Sequence, residues 1–175
     1  MQIDPKNTRN RQRAIAQNRC YRGHTKRAYS DEYYTPDHIP AACGAFDMDP
    51  CAGPSKHARR NIRRPKNGLA ARWQGRVWLN PPYSRLEDWL ARFARHADGI
   101  ALVNARPDAA WFQEFAAGAS ALLFLRGRTK FTTPSGDRCN PPVGSVLVAY
   151  GARNATALAR SKLPGILCRG TKSTK

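Results

Sequence analysis

The sequence predicts an α/β domain built around a mostly parallel sheet, and three observations support this class. Candidate strands alternate with candidate helices along the chain, the arrangement that produces βαβ units. The segment 99–104 is almost continuously apolar, as expected for a strand that helices cover on both faces. With 41% hydrophobic residues among 175, the chain is large enough for one domain with one core.

Each predicted element has a local signal. A short helix over 37–43 follows the turn that Pro36 fixes, and 45–49 alternates apolar and polar residues like a strand. A short buried strand over 76–79 precedes a helix over 85–96, which has one apolar face and Ser84 as its N-cap. The remaining elements are a strand over 99–104, a helix over 107–117 that begins with Pro107, and strands over 121–125 and 143–150. Basic loops are expected over 51–66 and 127–140.

The charge of the chain is strongly basic and is clustered. Thirty Lys and Arg against twelve acids give a net charge of +18. Residues 1–30 hold eight of these cations, 56–72 hold seven and 152–175 hold six. Such clusters usually face a polyanion, and no basic amphipathic helix indicates a membrane surface, so we expect nucleic acid. We interpret 1–30 as a basic, flexible arm, 31–152 as the folded domain and 153–175 as a basic tail.

The cysteines and histidines indicate neither secretion nor a metal. Five cysteines form no CxxC pair, which favours a reduced, cytoplasmic compartment. The spacing of Cys43, Cys51 and His57 fits no standard zinc pattern. No apolar run approaches the roughly 18 residues of a membrane span. We therefore expect no metal and no membrane anchor.

The most informative motif is Asn80-Pro81-Pro82-Tyr83, directly after an apolar strand. The prolines fix φ and carry no N–H, so the Asn80 side-chain oxygen and the Pro81 carbonyl can converge on one donor. Tyr83 adds an aromatic ring two residues further on. This arrangement can hold the exocyclic amine of a base at its edge while the ring covers the face of the base. In an open α/β sheet, such a motif at the carboxyl end of a strand lies where ligands bind.

With these pieces in order, the chain resembles the phage-type, Dam-like DNA N6-adenine methyltransferases over about 31–150. The similarity rests on five short segments, which are 31–36 (Asp-Glu-Tyr-Tyr-Thr-Pro), 47–50 (Asp-Met-Asp-Pro), 67–69 (Asn-Gly-Leu), 77–84 and 126–131. It implies a Rossmann-like fold that uses S-adenosylmethionine. We expect its mostly parallel sheet to be reduced, because the separation of Asp49 from Asn80 is short. It also implies methylation of the adenine N6 amine in double-stranded DNA.

The resemblance implies site residues, to which the charge pattern adds DNA contacts. The implied catalytic residues are Asn80, Pro81, Pro82 and Tyr83. The implied cofactor residues are Tyr34, Thr35, Pro36, Asp47, Asp49, Pro50 and Asn67. The expected DNA contacts are Arg59, Arg60, Arg63, Arg64, Arg126, Arg128 and Lys130. No acid lies between Asp49 and Asn80, so the usual carboxylate for the cofactor ribose is missing, and Asp47 or Asp49 can substitute.

Several alternatives are open at this stage. Pro50-Cys51 matches the nucleophile dipeptide of cytosine-C5 methyltransferases, but its flanks are wrong. Asn-Pro-Pro-Tyr also occurs in RNA methyltransferases and in enzymes that methylate protein amides. A DNA-binding protein with a decayed methyltransferase fold fits the thin glycine content of 49–54. The phage-type resemblance further suggests protection from restriction in a host cytoplasm; target sequence and oligomeric state are left open.

Overall fold

A computed structural model describes residues 32–170, and the expected arm over 1–30 lies outside them. The helices are α1 (His38–Ala42), α2 (Leu86–His96), α3 (Ala110–Ala117) and α4 (Ala152–Arg160). The strands are β1 (Phe46–Asp49), β2 (Ala58–Asn61), β3 (Val77–Leu79), β4 (Gly99–Asn104), β5 (Ala121–Leu125), β6 (Phe131–Thr132), β7 (Arg138–Cys139), β8 (Ser145–Tyr150) and β9 (Gly165–Arg169). A single 3-10 turn, Tyr83–Arg85, leads into α2. No helix within 32–170 is long and apolar enough to cross a bilayer.

Within residues 32–170, seven strands form one sheet in the order β2-β1-β3-β4-β8-β5-β9. Strands β2, β1, β3 and β4 pair in parallel, whereas β8 is antiparallel to both β4 and β5, and β9 is antiparallel to β5. Strands β1 to β5 therefore share one direction, and β8 and β9 run against them. The α/β class is confirmed, with a mixed sheet whose parallel half carries both Asp49-Pro50, at the end of β1, and the Asn80-Pro81-Pro82-Tyr83 motif, after β3.

Helices cover both faces of the sheet, which makes three layers. Helix α2 has acids in its first turn and cations in its last, as the helix dipole favours, and it buries Leu86, Trp89, Leu90 and Phe93. Together with α3 it covers the face that includes Val77. Helices α1 and α4 cover the opposite face, which includes Trp78. The two cores explain why the central strands β3, β4 and β8 are near-continuously apolar.

Strand β1 contains a bulge that the alternating sequence does not reveal. The successive amides of Asp47 and Met48 both donate to the carbonyl of Arg76, at 2.8 and 3.2 Å. Phe46 and Met48 consequently belong to different cores, although simple alternation would place them on one face. The bulge shifts the phase of every side chain that follows it, including that of Asp49.

Five sequence predictions are corrected by the fold. The segment 51–66 is not all loop, since β2 pairs with β1 in it. The segment 127–140 contains the β6–β7 hairpin. The segment 153–175 is not a tail up to 169, because α4 packs on the sheet and β9 pairs with β5. Strands β2 and β9, which the sequence did not predict, bring the sheet to seven strands, so the sheet is not reduced as expected. Ser84 does not cap α2, because the 3-10 turn places Arg85 at that position.

Candidate active site

A cavity of about 930 Å³ lies at the carboxyl ends of β1, β3 and β4. Asp49 ends β1, Asn80 follows β3 and Asn104 ends β4, and all three line the cavity. The two motifs are far apart in sequence, yet β1 and β3 are neighbours in the sheet, so their ends meet. Pockets for ligands of drug size hold roughly 300–1,000 Å³. The cavity has room for a ligand of cofactor size.

The predicted motif residues Asn80, Pro81, Pro82 and Tyr83 all line this cavity. The side-chain Nδ2 of Asn80 donates to the carbonyl of Tyr33 at 2.7 Å. A carbonyl only accepts, so this contact fixes which end of the amide is oxygen. No residue within 32–170 donates a hydrogen bond to Asn80 Oδ1 or to the Pro81 carbonyl. Both acceptors are therefore available to a ligand.

Tyr83 is anchored through its hydroxyl, while part of its side chain is exposed to solvent. The backbone N–H of Asn104 donates to the Tyr83 hydroxyl at 2.6 Å. Burial of the hydroxyl raises the pKa of Tyr83 well above its usual range, so the phenol stays neutral. The residue is still 37% exposed, one of the two large hydrophobic side chains within 32–170 with such exposure. An anchored ring with a free surface is suited to stacking on a planar group.

The bulge in β1 separates the two candidate cofactor carboxylates. Asp49 is buried and lines the cavity, and its Oδ1 accepts the backbone N–H of Cys51 at 3.1 Å. Burial raises the pKa of Asp49. Asp47 lies outside the cavity, where its Oδ2 accepts the backbone N–H of Arg76 at 2.8 Å. Of the two acids, only Asp49 is placed to meet a ligand in this cavity.

The other predicted cofactor residues are mostly at the cavity. Tyr34, Thr35, Pro50 and Asn67 line it, whereas Pro36 does not, because it begins the turn into α1. Backbone hydrogen bonds between Tyr34 and Thr132, at 2.8 and 3.2 Å, hold the 32–36 segment against the β6–β7 hairpin. This pairing brings a segment from the start of the described chain to the sheet edge.

Two glycines permit the close packing of the loops around the cavity. A Cβ at Gly53 would lie 2.5 Å from the ring of Tyr34. A Cβ at Gly68 would collide with the carbonyl of Pro50 and lie 3.1 Å from Trp89. Gly53, in the loop after β1, and Gly68, in the loop after β2, are therefore needed because neighbouring segments approach them closely, and not because they form a glycine-rich turn.

Cys51 is not placed to act as a nucleophile. Its thiol donates to the backbone carbonyl of Asn80 at 3.1 Å. Burial, reinforced by the Asp49 carboxylate, raises the pKa of the Cys51 thiol, which keeps it protonated. The thiol instead links the ends of β1 and β3.

The predicted DNA-contacting cations divide into two groups. Arg64 lines the cavity and is exposed, with its guanidinium 3.5 Å from the carboxylate of Glu32. The other six lie away from the cavity, on β2, the loop after it and the loop between β5 and β6; they are Arg59, Arg60, Arg63, Arg126, Arg128 and Lys130. Arg63 donates to the carbonyls of Gly53 and Pro54 at 2.6 and 3.0 Å. Its guanidinium therefore orders the loop after β1.

Sequence reasoning missed several cavity residues. Lys66, Arg85 and Arg106 are exposed cations on its lining, and Arg106 follows the end of β4 closely enough that its position could have been found. His57 also lines the cavity, between Asp37 and Asp49, with Nε2 3.0 Å from Asp37 and Nδ1 3.6 Å from Asp49. That placement depends on β2, which has no clear signal in a polar segment.

Within residues 32–170, no group of three or more His, Cys, Asp and Glu is arranged to hold a metal ion. The site thus offers amide and carbonyl acceptors, a buried carboxylate, an exposed ring and surrounding cations.

Comparison with known proteins agrees with this geometry. No curated protein matches the chain. Residues 22–152, more than half of the chain, match the family model described as DNA N-6-adenine-methyltransferase (Dam). Membership of a methyltransferase family implies S-adenosylmethionine as methyl donor and DNA as substrate. The chain belongs to the Dam family of DNA N-6-adenine-methyltransferases.

Proposed function

We propose that the cavity binds S-adenosylmethionine together with an adenine flipped out of double-stranded DNA, and that Asn80, Pro81 and Tyr83 hold the adenine. One observation carries this proposal. The 2.7 Å contact from Asn80 Nδ2 to the Tyr33 carbonyl fixes the orientation of the amide, so that its oxygen is an acceptor that no residue within 32–170 uses, beside an exposed aromatic ring. A flipped base needs such a pairing of edge contact and stacking.

The residues present fit a polar ligand of cofactor size. Thr35 Oγ1 and Trp78 Nε1 are buried and have no hydrogen-bond partner within residues 32–170, and both residues line the cavity, as does the buried Asp49 carboxylate. Buried polar groups without partners are costly, which favours a bound ligand or water near them. Asp49, Thr35, Tyr34, Pro50 and Asn67 are the residues we assign to the cofactor, which supplies a methyl group activated by a sulfonium.

The adenine amine is a weak nucleophile because its lone pair is delocalised into the ring. Asn80 Oδ1 and the Pro81 carbonyl accept its two hydrogens, which orients the remaining lone pair away from them. The same acceptors stabilise the positive charge that develops on nitrogen as it attacks. Flipping the base out of the duplex costs a few kcal/mol of stacking and pairing. Tyr83 stacks on the flipped ring and replaces part of the stacking that is lost. No covalent enzyme intermediate is needed, consistent with a protonated Cys51.

Exposed cations around the cavity support a DNA-binding role for its mouth. Arg64, Lys66, Arg85 and Arg106 are all exposed and on the lining. We assign them to phosphates next to the flipped nucleotide. We assign the six predicted cations that lie away from the cavity to phosphates further along the duplex; they are Arg59, Arg60, Arg63, Arg126, Arg128 and Lys130. Affinity should then fall steeply with salt.

The decisive experiment identifies the methylated atom. The full chain is incubated with duplex DNA and methyl-labelled S-adenosylmethionine, and the DNA is hydrolysed to nucleosides. Label in N6-methyladenine is the expected result. Label in cytosine would overturn the assignment of the base. Cofactor binding without transfer to any base would overturn the proposed enzyme, as would a protein that binds DNA but no cofactor.

The resemblance to phage-type members supports a biological proposal as well. We infer that the enzyme modifies phage DNA in the host cytoplasm and protects it from restriction. Genomic DNA from cells that express the protein should resist at least one adenine-sensitive restriction enzyme. DNA that carries N6-methyladenine yet is cut as before by a panel of such enzymes would contradict protection.

A further inference from the structure

His57 lies between two carboxylates that belong to different elements. Its Nε2 is 3.0 Å from Asp37 Oδ1, before α1, and its Nδ1 is 3.6 Å from Asp49 Oδ2, at the end of β1. The side chains of His57 and Asp49 are 8% and 4% exposed, whereas that of Asp37 is 76% exposed. The Trp78 ring lies against the imidazole in a T-shaped contact, with 6.2 Å between the ring centroids. The His57 imidazole therefore links the exposed Asp37 carboxylate to the buried Asp49 carboxylate.

We call the Asp37–His57–Asp49 arrangement the carboxylate bridge. Its two contacts indicate the protonation state of His57 in which both carboxylates face an N–H group. A neutral imidazole has one N–H and would present a lone pair to one of the carboxylates, whereas the imidazolium has two N–H groups. The charged groups around the bridge also include Arg63, which acts on Asp49, and His38, which acts on Asp37. Arg63 adds positive charge beside the Asp49 carboxylate, and neither Arg63 nor His38 replaces an imidazole contact.

We propose that His57 is a positioning residue for the cofactor. Through Nδ1 it holds the Asp49 carboxylate in the cavity, while Asp37 fixes the imidazole through Nε2. The inference rests on the proposed function, because it takes Asp49 as a cofactor contact. The Cys51 amide holds Oδ1 of the Asp49 carboxylate, and His57 is a second fixed partner that faces Oδ2 and further restricts how the carboxylate is turned. Orientation of Asp49, and with it cofactor affinity, then depends on His57.

The bridge makes cofactor affinity depend on pH. Burial of His57 lowers its pKa, but the carboxylates of Asp49 and Asp37 outweigh this, so the pKa is raised above its ordinary value of 6.5. The imidazolium, and the affinity it supports, is present at lower pH and is lost as the pH rises through that raised pKa. On the acid side, burial raises the pKa of Asp49, so its protonation also weakens binding. Affinity should pass through a maximum between these two titrations.

Two isosteric substitutions separate positioning from a structural role. An Asn amide nitrogen at 57 occupies the place of Nδ1 and can still meet Asp49, whereas a Gln amide nitrogen occupies the place of Nε2 and can meet only Asp37. We expect His57→Gln to weaken binding of S-adenosylmethionine by about tenfold, the lower end of the coupling energies of close charge pairs, and His57→Asn to weaken it less. Both variants should lose the alkaline fall in affinity.

The measurement is the Kd of S-adenosylmethionine for the full chain by calorimetry across pH, with thermal unfolding as a check on folding. His96→Gln is the matched control, since His96 is also half-buried and its Nε2 contacts only a backbone carbonyl, that of Gly75 at 2.7 Å. Its pH profile should match that of the wild type. If the His57 variants fail to fold, Asp37→Asn serves instead, and it should move the alkaline fall to lower pH.

The outcomes separate the two proposals. Folded His57 variants with the wild-type Kd and pH profile would overturn the positioning role and leave the proposed function intact. Equal weakening by Asn and Gln, with the pH dependence retained, would assign His57 to loop structure only. An Asp37→Asn variant with an unmoved profile would also overturn the bridge. A wild-type protein that binds no S-adenosylmethionine at any pH would overturn both proposals.

Discussion

Replacing Asn80 by alanine tests the site at its most specific contact. The change removes two functions of one side chain. The Nδ2 donor to the Tyr33 carbonyl disappears, and so does the Oδ1 acceptor that faces the cavity. The first loss affects folding, because the hydrogen bond to the half-buried Tyr33 carbonyl is removed. The second affects only the reaction, because no residue within 32–170 uses that oxygen.

The two losses have different magnitudes. One neutral hydrogen bond contributes about 1 kcal/mol to stability, so the free energy of unfolding should fall by about that amount. An acceptor that stabilises charge only in the transition state resembles an oxyanion-hole donor, whose loss costs about 2.7–4 kcal/mol or roughly 10²–10³ in kcat. Asn80→Ala should therefore remain folded and be nearly inactive, with S-adenosylmethionine binding largely unchanged.

Asn61→Ala provides the matched control. The Asn61 Nδ2 also donates to one backbone carbonyl, that of Ala58 at 2.5 Å, but Asn61 lies outside the cavity. It should lose a similar amount of stability and retain kcat. Single-turnover transfer of labelled methyl to duplex DNA and urea unfolding measure the two quantities. An Asn80→Ala enzyme with wild-type kcat, or two variants that lose kcat equally, would refute the reasoning.

The remaining predictions concern the ring, the thiol, the cations and the fold. Tyr83→Ala should weaken DNA binding by about 1–3 kcal/mol in fluorescence titrations, while Tyr83→Phe keeps the stacking ring and should be mild; equal effects would count against stacking. Cys51→Ser should still transfer methyl groups, and an inactive but folded variant would revive a covalent step. Arg64→Gln should reduce the slope of log K against log salt by about one, and an unchanged slope would remove Arg64 from the phosphate contacts. Arg76→Met leaves the carbonyls of Cys43 and Ala45 without the guanidinium they now share, so urea unfolding should show a loss of at least about 2 kcal/mol, and a smaller loss would contradict this anchoring role.

The parts of the fold that local signals control are predictable from the sequence. Strands β4 and β5 have the predicted bounds, because apolar composition alone determines both. Helix α2 starts one residue late and ends where its amphipathic pattern ends. The position of Asn80 after β3 is confirmed for the same reason, since an apolar strand ends at a Pro-Pro pair that cannot continue it.

The parts that depend on tertiary pairing are not predictable in this way. Strand β2 reads Ala-Arg-Arg-Asn and forms only because β1 offers a free edge. Strand β9 likewise forms against β5, in a segment whose charge suggests a tail. The bulge in β1 comes from a shared acceptor, the Arg76 carbonyl, and decides that Asp49 and not Asp47 faces the cavity. The Asp37 and His57 contacts follow from these same long-range pairings.

The most direct test of the central claim is a crystal structure of the full chain with the demethylated cofactor product and DNA that the enzyme methylates. The account predicts an extruded adenine against the Tyr83 ring, with N6 about 2.7–3.2 Å from both Asn80 Oδ1 and the Pro81 carbonyl. An adenine that stays in the duplex, or whose N6 is held by other residues with Asn80 turned away, would contradict it.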